Sequence, residues 1–171
     1  MGSPIQTLID DYRDLNNFLM ANGQVSESLT VAEHYRKILL LSCASYYETR
    51  IVEVIKKFVE ARASDERISA FVSNKAISRQ YHTYFNWDQT NNINSFLGLF
   101  GADFKDKITS EIKEDKDLQE QIKAFLTIGS ERNKMVHNKF LECKLDKTFD
   151  EIVALQEKAN LFIEYLEKIF A

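Results

Sequence analysis

The sequence predicts an all-α protein, an up-and-down helical bundle of four to five main helices with short additional helices. Three observations carry this. Breakers are scarce, at 5 Gly and 1 Pro in 171 residues, while 44% of the residues are hydrophobic and 12 are Phe. Such a chain can fill a core and has few places to interrupt a helix. Apolar residues recur at three- and four-residue steps, and helix-start patterns recur along the chain. The length suits one domain over residues 1–171, large enough to bury a real core.

The elements follow in order. Ser3-Pro4 reads as an N-cap followed by proline at the first helical position, opening a helix to about Met20. Asn22-Gly23 ends it, and the polar stretch through Ser28 is expected as a loop. Thr30-Val31-Ala32-Glu33 reads as a capping box opening a long helix from about Val31 to Ala61, with Tyr47, Ile51, Val54 and Phe58 as its buried stripe. Ser64-Asp65-Glu66 caps a short helix to about Ser73. Between Asn74 and Gly101 the pattern is least regular, with a short helix expected from about Asp88 to Leu99. Its aromatic residues are expected to pack short helices onto the bundle as a lid rather than to stack nucleobases. Another amphipathic helix spans about Phe104 to Lys113. Asp117-Leu118-Gln119-Glu120 resembles a second capping box, opening a helix to His137 with Leu118, Ile122, Phe125, Gly129 and Val136 on one seam. Thr148-Phe149-Asp150-Glu151 opens the last helix, with Ile152, Leu155, Ala159, Phe162 and Leu166 facing inward as far as Phe170.

Composition narrows the function. A net charge of −4 gives no whole-molecule attraction to nucleic acid, so any such contact needs a local basic patch. Cys43 and Cys143 stand far apart without paired spacing, which suggests reduced thiols and offers neither a disulfide framework nor a zinc site. His34, His82 and His137 form no metal-binding set, so neither a metal nor another cofactor is expected. No apolar run approaches a membrane span and no signal-peptide pattern opens the chain, so a cytoplasmic location and no membrane partner are expected.

The chemistry-bearing stretch is Arg132-Asn133-Lys134-Met135-Val136-His137. Arginine presents a fixed fork of donors to phosphate oxygens, and an imidazole can take or give a proton near neutral pH. Asn133 and His137 share a helix face at i and i+4, while Arg132 lies about 140° round from His137. Taken by itself the pattern is weak. Arg132 in a surface salt bridge and His137 at a helix end would read the same way.

Set in a helical bundle, on a late helix followed by one further long helix, Arg132-Asn133-x3-His137 resembles the motif of the HEPN superfamily. Ser45-Tyr46-Tyr47-Glu48-x2-Ile51 is similar to the acidic and aliphatic segment on the long second helix of many members. The resemblance extends over about Val31 to Phe170 by architecture, and segment 74–101 is outside what it explains. It implies a metal-independent endoribonuclease acting as a toxin, phage-defence effector or RNA-processing factor, with its site built across a homodimer. An RNA substrate and a cognate antitoxin or defence-system partner would follow. RNA brings its own nucleophile, the 2′-hydroxyl, so the enzyme supplies a base, an acid and charge stabilisation. One chain has one histidine in this motif, and a two-fold dimer would bring two. His137 would deprotonate the 2′-oxygen while a second copy protonates the 5′-oxygen, leaving a 2′,3′-cyclic phosphate and a 5′-hydroxyl.

Arg132 would then hold phosphoryl oxygens, and Asn133 would orient His137 or a phosphate oxygen. Glu48 either pairs with Arg132 or fixes an imidazole, or it is a solvated carboxylate on an exposed stripe. Lys134 and Lys139, with Lys144 and Lys147, form a candidate phosphate guide, against the plain reading of a mixed-charge surface. His34 and His82 are given no catalytic part, and Tyr46 and Tyr47 are assigned to the core or a dimer contact. The alternative function is a non-catalytic HEPN-like module that binds a partner protein or a nucleotide.

Overall fold

The computed structural model describes residues 4–137 and 142–171. Among them are eight α-helices: α1 (Pro4–Ala21), α2 (Val25–Arg62), α3 (Glu66–Val72), α4 (Tyr81–Tyr84), α5 (Asn94–Gly98), α6 (Ala102–Glu114), α7 (Lys116–His137) and α8 (Phe149–Phe170). The architecture is the expected all-α bundle. α8 packs against both α7 and α2, α1 lies along α2, and α3 to α6 form the lid of short helices.

α1 ends in a Schellman motif. The Gly23 N–H donates to the Met20 carbonyl and the Gln24 N–H to the Leu19 carbonyl, at 3.1 and 2.9 Å. Gly23 holds φ 71°, a left-handed position that glycine adopts without a Cβ penalty. The loop expected through Ser28 is cut short to Asn22–Gln24. α2 starts at Val25, six residues before the expected Val31, and Thr30 caps nothing: its hydroxyl donates to the Ser26 carbonyl one turn back, at 3.1 Å. Tertiary packing fixes this early start, because the Ser28 hydroxyl donates to Asn16 Oδ1 on α1 at 2.6 Å. Ser3 falls outside the described residues, so its cap does too.

Asp65 caps α3 as the sequence predicts, accepting the Arg67 N–H at 2.8 Å. The helix expected over Asp88–Leu99 is shorter, covering only Asn94–Gly98. Asparagine side chains compete with the backbone there: Asn86 Oδ1 accepts the Asp88 N–H and Asn92 Oδ1 the Asn94 N–H, at 3.2 and 3.1 Å. The cap of α7 is Asp115, two residues before the expected Asp117; it accepts the Leu118 N–H at 2.9 Å. The Thr148–Glu151 capping box of α8 is present in full.

Phe125 on α7 is where the layers meet. Its ring lies 5.9 Å from Tyr47 on α2, 5.0 Å from Phe162 on α8 and 5.0 Å from Phe85 of the lid. The Tyr47 hydroxyl, buried with it, donates to the Gln156 carbonyl of α8 at 3.1 Å, so its polar end is satisfied. Cys43 packs in the same core, its thiol pushed up to about 12 by burial and so inert. One residue of the predicted α7 seam is misplaced: Val136 is 53% exposed, and Met135 takes the inward position. Tyr46 stays at the surface, with its ring 6.0 Å from the Arg50 guanidinium. No helix among the described residues is long and apolar enough to cross a membrane.

Candidate active site

The face of α7 that carries Phe125 into the core continues at four-residue steps to Gly129 and Asn133. At Gly129 the packing opens into a cavity of about 290 Å³, lined by Ala44 and Glu48 of α2, Arg79, Tyr81, His82 and Trp87 of the lid, and Gly129, Arg132 and Asn133 of α7. Ala44 and Glu48 are themselves one turn apart on α2. The cavity thus forms where two long helices, each presenting a small residue one turn before a polar one, leave room that the lid covers.

The lid reaches this position through a series of backbone devices. After α3 the chain makes one π-helical turn, Ser73–Ile77, a rare geometry that is frequent at functional sites. Arg79 then takes a left-handed φ of 59°, which costs a non-glycine residue about 1–2 kcal/mol. That turn directs the chain into α4, and the Tyr84 hydroxyl ties α4 back to the Ala76 carbonyl at 2.8 Å. The Trp87 indole N–H donates to the His82 carbonyl at 3.0 Å. The Trp87 ring sits directly on Gly129, so close that a Cβ built there would overlap it. It is braced by Tyr81, Phe85 and Phe125 at 5.6, 5.1 and 5.9 Å.

Charge in the cavity is mixed. Arg132 Nη1 donates to Asn133 Oδ1 at 3.0 Å. With its oxygen engaged, Asn133 has its amide N–H groups left to offer, and such donors suit an acceptor such as a phosphate oxygen. Burial pushes the Tyr81 phenol well above its usual range; the Glu48 carboxylate adds to that and the Arg132 guanidinium opposes it. Tyr81 is therefore a neutral hydroxyl between a carboxylate and a guanidinium.

The predicted site residues divide. Arg132, Asn133 and Glu48 come together in the one cavity, and Glu48 is half-buried, not on a solvated stripe. His137 does not line it: the residue is exposed at the last position of α7, one turn beyond Asn133 on the same side. Lys134 points to solvent and is paired with Glu131 at 2.8 Å, a bond that raises its pKa. It does not line the cavity. Lys139 lies outside the described residues. His34 is exposed on α2. His82, given no part by sequence reasoning, lines the cavity together with Arg79, Tyr81 and Trp87, which the sequence argument also left out. The available signal was a histidine and an arginine beside the densest aromatic cluster, in the segment that the motif resemblance did not explain.

An all-α bundle with a long second helix and a long penultimate one is the fold that the resemblance to the HEPN superfamily implies. The model of the RiboL-PSP-HEPN family matches residues 6–171, and the chain belongs to that family. Neither a curated protein nor a solved structure matches the chain.

Proposed function

We propose that the protein is a metal-independent endoribonuclease, acting as a toxin or phage-defence effector, that cleaves RNA by attack of the 2′-hydroxyl on the adjacent phosphorus. The observation that carries this is the convergence of Arg132, Asn133 and Glu48 on one cavity beside the end of α7 that bears His137. Arg132 and the amide donors of Asn133 bind the non-bridging oxygens and stabilise charge building on them. His137, one turn beyond Asn133 on the same side of α7, takes the 2′-proton. The O2′–P bond forms, the P–O5′ bond breaks, and a second imidazole gives its proton to the 5′-oxygen. A two-fold dimer would bring a second His137 to the same cleft. We propose this homodimer as the assembly, burying about 1,200–2,000 Å² if stable. Lys139 is the residue proposed to guide the substrate phosphates, while the Glu131 ion pair leaves Lys134 with a lesser share of that role.

Purified protein incubated with single-stranded and structured RNAs is expected to cleave equally well with and without excess EDTA, leaving 2′,3′-cyclic phosphate ends. Activity that vanishes with chelator and returns with magnesium would exclude the mechanism. Absence of cleavage on every RNA would move the assignment to a module that binds a nucleotide or a partner protein.

Glu48→Gln tests the carboxylate. A loss of turnover with an unchanged melting temperature is expected of a carboxylate that orients a functional group. Unaltered turnover would make Glu48 a bystander in the cavity wall.

A further inference from the structure

The chain holds a second imidazole at the cavity itself, on His82. Resting on the ribonuclease reading, we propose that His82 is the general acid of the reaction, protonating the departing 5′-oxygen, and that Arg79 is a second phosphate ligand opposite Arg132. His82 lines the same cavity as Arg132, Asn133 and Glu48. Its backbone is held from several sides. Its carbonyl accepts the Trp87 indole N–H, the Trp87 ring is seated on Gly129 of the motif helix, and α4 is anchored to Ala76 through Tyr84. All of these bonds use the backbone of His82 or its neighbours and leave the imidazole unspent. Among the described residues neither that imidazole nor the Arg79 guanidinium has a hydrogen-bond or ion-pair partner. Two guanidiniums against one carboxylate leave the cavity net positive even before His82 is protonated, which suits an anionic phosphodiester. Arg79 is also the residue held at a left-handed φ of 59°, and strain of that kind concentrates at functional positions.

The step balances within one chain. His137 accepts the 2′-proton as the O2′–P bond forms. His82, protonated, gives its proton to O5′ as the P–O5′ bond breaks, and the two imidazoles exchange protonation states once per turnover.

The test compares two dinucleotide substrates, one with the natural 5′-oxygen leaving group and one with sulfur in its place. A thiolate leaves without being protonated. His82→Ala and His82→Gln are expected to slow cleavage of the oxygen substrate by about 10²–10⁴-fold, the usual span for a general acid. The sulfur substrate should be cleaved within about 10-fold of the wild-type rate, because the acid is no longer needed. His137→Ala should be slow on both. On the oxygen substrate the wild-type rate should rise and then fall with pH, and the His82 variants should lose the alkaline fall. The other charged or titratable groups facing His82 are Glu48, Arg79, Tyr81 and Arg132. All four are retained in the variants, so the lost limb reports His82. Wild-type rates in the His82 variants, or equal slowing on both substrates, would overturn the assignment while leaving the ribonuclease reading in place. A wild-type protein that cleaves neither substrate would overturn both.

Discussion

Gly129→Ala is expected to lower the melting temperature and remove activity together, although alanine is the better helix former by about 1 kcal/mol. A methyl group at this position would overlap the Trp87 ring, and overpacking of a filled site typically costs about 1–3 kcal/mol. The ring cannot retreat alone. Its N–H holds the His82 carbonyl, and its neighbours Tyr81 and Phe85 lie within 6 Å, at 5.6 and 5.1 Å. Displacing Trp87 therefore moves the lid off α7. Gly98→Ala is the matched control, since nothing lies within 4 Å of a Cβ there. Thermal unfolding of the two variants checks this. A Gly129→Ala protein with wild-type stability and turnover would show that the lid does not depend on that seat.

Substitution of Arg132 is expected to act on chemistry and spare the fold. Arg132→Ala should lower single-turnover RNA cleavage by about 10²–10³-fold, the scale of losing one preorganised donor at a developing oxyanion. Its hydrogen-bond partner is Asn133 on the same helix, so the melting temperature should hold. Arg132→Lys should rescue poorly, because an ammonium lacks the fork that can bind a phosphate and Asn133 at once. His137→Ala should cost about 10²–10⁴-fold for a base. A fully active Arg132→Ala protein would reduce the motif to a helix-surface contact.

The bundle was legible where one helix decides its own fate. Thr148 and Glu151 satisfy each other locally, and Asp65 caps α3 within its own turn, so four-residue patterns sufficed. Legibility failed where a distant contact decided the outcome. Nothing near Val25 announces a helix start; the Ser28–Asn16 bond to α1 accompanies it, and the Thr30–Glu33 pattern is swallowed into the helix. Asp115 and Asp117 are equally good caps on paper. The Gln119 side chain, bonding back to the Ile112 carbonyl at 2.9 Å, helps hold the break two residues earlier than the sequence pattern suggests. The site divides the same way. Arg132 and Asn133 are adjacent in sequence and share a helix, so their joint placement could be read directly. Their meeting with Glu48 was an even choice until the long helices were packed. His82 and Arg79 could not be read at all, because roughly fifty residues separate them from Arg132 and an irregular lid makes the connection.

Trp87 is the only tryptophan in the chain. The intrinsic near-ultraviolet emission of the whole protein is therefore dominated by a ring on the cavity wall, bonded to the His82 carbonyl and pressed on the motif helix. An unlabelled solution thus carries its own optical probe of nucleotide entry, with no dye to disturb a cavity of about 290 Å³. The same probe gives a selective view of unfolding. Circular dichroism follows the long helices that make up most of the chain, while emission follows the lid alone. If the lid lifts before the bundle melts, the two signals part on heating, and the gap between them measures how firmly the lid is held shut.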